Sequence, residues 1–268
     1  MSAAVEAHKK ELEEITHLRN ALPPFPWPAA ILEKIRAEWT YHSNALEGNS
    51  LTLGDTVFFL REGLTVEGKP WKDFLEAKNH AEAIDYLMDV IRSERPFTEG
   101  LLKELNGLLL RGVESTEAQT SAGQSVRKRV HGGEYKKEPN HVLTLSGKIH
   151  YYVAPLQVPG EMERLFRNMA SLLGDKNAHP LVVAGTFHWG LTRIHPFDDC
   201  NGRVSRLSMN LLLMKAHYPP AVLPMEERRQ YLESLEASDN MDSAAPFLQF
   251  LLQIYSSQLK SWIKYFSA

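Results

Sequence analysis

His195-Pro196-Phe197-Asp198-Asp199-Cys200-Asn201-Gly202-Arg203-Val204-Ser205-Arg206 places an imidazole, two carboxylates, an Asn-Gly turn and two arginines just ahead of the apolar run Leu207–Met214. A residue before proline disfavours the α region, so a helix carrying Phe187, Leu191 and Ile194 inward is predicted to end at His195. An imidazole at that junction, with an unperturbed pKa near 6.5, is suited to proton abstraction. Phe197 is predicted to be a buried anchor for the loop. Asp199 offers a hard oxygen ligand of the kind that holds Mg²⁺ together with substrate phosphates. Asn201-Gly202 opens the next helix, whose free N–H groups and positive dipole end favour phosphate. Arg203 and Arg206 lie on one face of its first turn and oppose the macrodipole unless an anion lies between them. Taken singly, these are a helix-end histidine, turn residues and a solvated Arg-x-x-Arg face. Together they read as a phosphate site with a base beside it.

Working outward, helical periodicity dominates. Val5–Leu22 carries Leu12, Ile15, Leu18 and Leu22 at spacings of three or four. The prolines of 23–28 stop it, and a second helix follows through Ile31, Ile35 and Trp39 to about Leu46, with Gly48 as its stop. Further helices are predicted at Leu53–Arg61, Trp71–Arg92, Thr98–Leu110, Pro159–Leu173, His179–Arg193, Arg203–Ala216, Glu226–Glu236 and Ala244–Lys264. Val126–Val130 is strand-like. Asn140–Leu145 and Lys148–Val153 flank Ser146-Gly147 as a β-hairpin with a two-residue turn. The fold class is all-α, a helical bundle with one small β-hairpin.

The chain has 268 residues, 43% of them hydrophobic, enough for a sizeable core. A formal charge of −3 does not favour a nucleic-acid surface, so no nucleic-acid partner is expected. Cys200 is the only cysteine, which removes internal disulfides and Cys-based zinc clusters. No apolar run approaches the roughly 18 residues of a membrane span, and the first residues lack a signal-peptide core. A cytoplasmic protein without membrane association is the expectation. Gly132-Gly133 is not followed by Lys-Ser/Thr and is no P-loop. His179 and His188 lack metal-ligand spacing and are read as structural.

The 195–206 stretch resembles the Fic-domain signature His-x-Phe-x-(Asp/Glu)-Gly-Asn-Gly-Arg-x-x-Arg. His195, Phe197, Asp199, Asn201, Gly202, Arg203 and Arg206 match, and Cys200 stands where Gly is usual. The resemblance implies a Fic-type helical bundle that transfers AMP from ATP to a protein Ser, Thr or Tyr hydroxyl. It implies His195 as the base, Asp199 as the Mg²⁺ ligand, and Asn201, Gly202, Arg203 and Arg206 as phosphate contacts, with Arg206 on the γ-phosphate. Tyr231 stands where the family places an adenine-contacting tyrosine, although core packing explains a lone Tyr equally well. The hairpin 140–153 corresponds to the flap that docks a target protein, through Lys148, Ile149, His150 and Tyr151 on its second strand. A plain packing hairpin is the alternative. With Cys in place of Gly at position 200, a small perturbation of the phosphate turn is expected, without loss of the anion nest.

Upstream, Ser43-Asn-Ala-Leu-Glu47-Gly48 resembles the family's inhibitory motif (Ser/Thr)-x-x-x-Glu-(Gly/Asn). Ser43 and Glu47 are i and i+4, and a glutamate near a helix C-terminus is unfavourable unless a cation accepts it. The resemblance implies that this cation is Arg206, with Glu47 in the place of the γ-phosphate. The expected division is an N-terminal segment 1–95, including an inhibitory helix at about 29–47, and a catalytic domain 96–268. Removal of AMP from a target, transfer of another phosphate-linked group, and a weakly catalytic nucleotide-binding module stay open beside AMP transfer. Self-modification and a homodimer are further interactions that the resemblance leaves open.

Overall fold

The computed structural model describes residues 8–119, 124–144, 147 and 149–267. They form α1 (Lys9–Asn20), α2 (Ala29–Ala45), α3 (Leu53–Glu62), α4 (Trp71–Arg92), α5 (Glu99–Leu109), β1 (Ser115–Gln119), β2 (Ser125–Arg129), β3 (His141–Leu143), β4 (Ile149–Tyr151), α6 (Val158–Gly174), α7 (Pro180–Ile194), α8 (Asn201–Lys215), α9 (Arg228–Met241) and α10 (Ala245–Ser267). Short 3₁₀ turns precede α6 and α9. The described residues are all-α apart from two small antiparallel hairpins.

Helix α8 is the axis of the bundle. Every residue from Arg203 to Met214 is buried, so its apolar run shows no solvent stripe. Asn210 is satisfied within the core: its Nδ2 donates to Ala221 O at 3.0 Å, and its Oδ1 accepts from Ala221 N at 2.8 Å. Helix α7 packs against α8, the joining loop being residues 195–200. Gly185 permits the approach of α10, since a Cβ there would stand 2.6 Å from Leu248 Cδ2. Helices α2 and α4 cover the other side, so the last turn of α2 meets the first turn of α8. One continuous core runs from Leu12 and Trp27 through Leu105 and Phe187 to Leu213 and Trp262.

Four features differ from the sequence expectation. The described N-terminal helix starts at Lys9, residues 1–7 lying outside the described set. Helix α2 ends at Ala45, so Glu47 follows the helix instead of occupying its last turn. A second hairpin pairs β1 with β2, Ser115 opposite Arg129. The polar run Ser-Thr-Glu-Ala-Gln gave no alternation from which β1 could be read. The β3–β4 register sets Leu143 opposite Ile149, one residue away from what a two-residue Ser146-Gly147 turn requires. Gly147 instead takes φ +78° and donates its N–H to Thr144 O. Leu145, Ser146 and Lys148 lie outside the described residues.

Candidate active site

The loop between α7 and α8 is shaped by two left-handed residues. His195 caps α7 with φ +53°, its N–H bonded to Leu191 O at 3.0 Å. Cys200 precedes α8 with φ +64°. Between them Phe197 is fully buried and bridges Tyr135. Asn201 closes the loop on itself, its Oδ1 accepting from Phe197 N and its Nδ2 donating to Phe197 O, both at 2.9 Å. The Asn201 side chain is thus committed to the loop, and what faces the open site is the free end of α8.

His195 Nδ1 lies 3.4 Å from Thr192 O, which assigns the ring proton to Nδ1 and leaves Nε2 as the acceptor. Burial and then the Lys136 ammonium push its pKa down to about 3, so the imidazole is neutral at physiological pH. Lys136 is itself buried, and burial with Lys128 nearby pushes it down to about 8. Its N–H donates to Pro196 O at 2.8 Å, tying the chain before the β3–β4 hairpin to the loop.

Asp199 is held by its backbone: Asn106, buried on α5, donates from Nδ2 to Asp199 O at 3.0 Å and accepts from Gly133 N at 2.9 Å. Asp199 Oδ1 lies 3.8 Å from Arg203 Nη2, and the side chain keeps 28% of its surface open. Among the described residues no three carboxylate, imidazole or thiol groups cluster as a metal cage. An open carboxylate beside the first turn of a helix fits Mg²⁺, which would draw its other ligands from water and substrate oxygens. It does not fit a structural zinc site, which takes four protein ligands.

Arg203 and Arg206 are both almost fully buried. Arg203 Nη1 lies 3.4 Å from Glu76 Oε1 and from Asn44 Oδ1. Glu76 Oε2 in turn accepts from Asn49 Nδ2 at 3.0 Å. Arg206 donates from Nε to Ser43 Oγ at 3.0 Å, and from Nη2 to Ser43 O at 2.8 Å and Glu47 Oε1 at 2.7 Å. Burial pushes the Glu47 carboxyl up, but Arg206 and then Arg203 outweigh it and hold it below its ordinary range. The glutamate is ionised, 39% exposed, and lies over the end of α8. A Cβ at Gly202 would stand 2.3 Å from Glu47 Oε1, so only glycine admits the carboxylate there. Gly48, at φ +94°, turns the chain away immediately afterwards.

The structure therefore brings together His195, Asp199, Asn201, Gly202, Arg203, Arg206, Ser43 and Glu47. Tyr231 is buried, its hydroxyl 3.1 Å from His188 Nε2, and His188 stacks on Phe247. Ile149 and Tyr151 are exposed on β4, and His150 Nε2 stands 4.0 Å from Asp239 Oδ2 on α9. Lys148 lies outside the described residues. Glu76 and Asn106 were not anticipated. Asn106 had a signal, an amide within the Leu101, Leu102, Leu105 and Leu109 stripe, because a polar side chain on an apolar face needs a partner.

Residues 96–213 match the model of the Fic/DOC family. A Fic domain containing signaling protein from Bacteroides thetaiotaomicron is 30% identical, with a TM-score of 0.80 over 95% of this chain and 96% of that one. The chain belongs to the Fic/DOC family. Among proteins named protein adenylyltransferase Fic, that of Aedes aegypti is 30% identical over 91% of this chain and 46% of its own length. The chain thus spans about half the length of the curated relatives it matches. Fic-1 from C. elegans shares the fold, at 23% identity and a TM-score of 0.77 over 99% of this chain and 74% of that one.

Proposed function

We propose that this chain is a Mg²⁺- and ATP-dependent protein adenylyltransferase held inactive by Glu47. The observation that carries the reading is the Arg206 guanidinium, bound to Glu47 and Ser43 at the phosphate-binding end of α8 and buried in the same site as a neutral His195. ATP supplies the transferred group: the target hydroxyl oxygen forms the new bond to the α-phosphorus, the α–β bridging P–O bond breaks, and pyrophosphate leaves. His195 Nε2 takes the hydroxyl proton. Arg203 and the first N–H groups of α8 hold the phosphates, and Arg206 takes the γ-phosphate once Glu47 has left. Asp199 would hold Mg²⁺, which neutralises charge on the phosphates. The residues contribute position and charge, the main requirements of phosphoryl chemistry.

In this reading residues 96–268 carry the chemistry and the segment 1–95 carries the brake. The exposed strand Ile149–Tyr151 docks the target protein, and Tyr231, buried against His188, backs Arg206. A cytosolic location suits the use of ATP. Removal of AMP from a target is the second reading, favoured by one observation: the ionised, part-open Glu47 carboxylate is placed to orient a water over the end of α8.

Exposure to labelled ATP tests both readings. Glu47→Gly should raise AMP incorporation at least tenfold, because a charged competitor for Arg206 is removed, and adding His195→Ala should abolish it. No gain with Glu47→Gly sinks the inhibitory assignment. AMP loss from a modified target that requires intact Glu47 establishes the second reading.

A further inference from the structure

The imidazole of His195 is held by two contacts. Thr192 O faces Nδ1 at 3.4 Å, and Tyr152 covers one ring face, with centroids 3.7 Å apart and planes 13° apart. The Thr192 contact alone leaves the ring free to rock about the Nδ1–O direction. The stack removes that freedom, because a parallel ring at contact distance allows the imidazole one plane. The phosphate chemistry makes no use of Tyr152.

Tyr152 directly follows β4, and its placement is fixed by hydrogen bonds at the hairpin root. Its N–H donates to Asn140 O at 3.3 Å, extending the β3–β4 ladder by one pair. Asn140 Nδ2 donates to Phe197 O at 3.0 Å. Lys136 N donates to Pro196 O, and Tyr135 bridges Phe197. The root is thereby tied to the two residues that follow His195. Side chains alternate along a strand, so a one-residue slip in the ladder would carry Tyr152 to the opposite face and strip the imidazole of its cover.

We propose that Tyr152 is the positioning residue of the base: its ring sets the plane of His195, and through it the order of the β3–β4 hairpin sets the aim of Nε2. A target strand laid on β4 then steadies the base as well as presenting the hydroxyl. The inference rests on the reading of His195 as the base in AMP transfer. It assigns Tyr152 no contact with substrate, so its effect falls on turnover.

The test is run in the Glu47→Gly protein, following AMP incorporation into the protein itself from labelled ATP. Tyr152→Leu should lower kcat by about tenfold or more, the range expected when a reacting group loses its aim. The KM for ATP should stay within about twofold, and Tyr152→Phe, which keeps the ring, should return kcat to within about twofold of the parent. Tyr152→Met serves as a second ring-free variant, and thermal melts of each confirm that it is folded. In proton spectra, the His195 ring signals, identified by their loss in His195→Ala, should be shifted upfield in the parent and in Tyr152→Phe, and not in the Leu or Met variants. Ring-free variants that turn over as fast as Tyr152→Phe, or that change only the KM for ATP, would overturn the inference. Glu47→Gly protein with no His195-dependent transfer would instead remove the reading beneath it.

Discussion

Cys200 departs from the family signature, and its geometry reverses an expected order of stability. At φ +64° any L side chain costs about 1 kcal/mol relative to glycine. The thiol is nonetheless buried in the main core, where burial pushes its pKa up to about 12. It is therefore a core atom with little thiolate character, lying beside Arg203. Cys200→Ala keeps the left-handed strain and loses the sulfur, whereas Cys200→Gly loses slightly more packing but relieves the strain. Denaturant unfolding should find Cys200→Gly at least as stable as Cys200→Ala, opposite to the order of about 0.5–1 kcal/mol at ordinary backbone positions. In the Glu47→Gly background its AMP transfer should stay within about twofold of the parent. The residues of the site were legible because seven signature positions fall within twelve residues. Their partners were not: Glu76 beside Arg203 and Asn106 behind Asp199 are brought in by helix packing, which leaves no local spacing to read.

His179 joins two helices through both ring nitrogens. Nδ1 accepts from Leu181 N at 3.1 Å, capping α7, so the proton sits on Nε2, 3.1 Å from Thr16 Oγ1 on α1. Protonating Nδ1 would break the cap, and burial accordingly pushes the pKa down to about 4. The unfolded chain, with a histidine pKa near 6.5, binds the extra proton first as pH falls, so stability is lost from about pH 6.5 down to 4 and levels below that. His179→Asn keeps a capping acceptor that does not titrate. Its unfolding free energy should fall by ~2 kcal/mol less than the parent's between pH 7 and 4. Buried His80, His188 and His195 are depressed in the same direction, so the acid loss is blunted and not abolished. The elements themselves were readable: prolines, Thr98 and the periodic apolar positions mark the ten helices of the described residues to within a few residues. Strand β1 was hidden because a polar edge hairpin buries too little to impose alternation.

The segment proposed as the brake is part of the molecule's core, which sets how such a brake could be released. Trp27, 4% exposed, packs on Trp262 at 5.0 Å and Phe266 at 4.9 Å between ring centroids, and donates from Nε1 to Pro23 O at 3.1 Å. Ile31, Ile35 and Trp39 of α2 belong to the same core cluster as Leu207 and Leu213 of α8. The proposed boundary near residue 95 thus separates roles within one core, and helix α2 cannot leave without exposing that cluster. Heat should unfold the chain in a single transition, with equal calorimetric and van't Hoff enthalpies. Trp27→Ala should lower stability by about 3–5 kcal/mol and keep that single transition. Because Ser43 sits in the last turn of α2 and Glu47 just beyond it, both bonded to Arg206, the weakened protein should transfer no more AMP than the parent at temperatures below its melt, while Glu47→Gly does so with the core intact. A separate early transition in Trp27→Ala, accompanied by a rise in AMP transfer, would show instead that the N-terminal segment undocks as a unit, and that the brake is released by its departure and not by a local movement of Glu47.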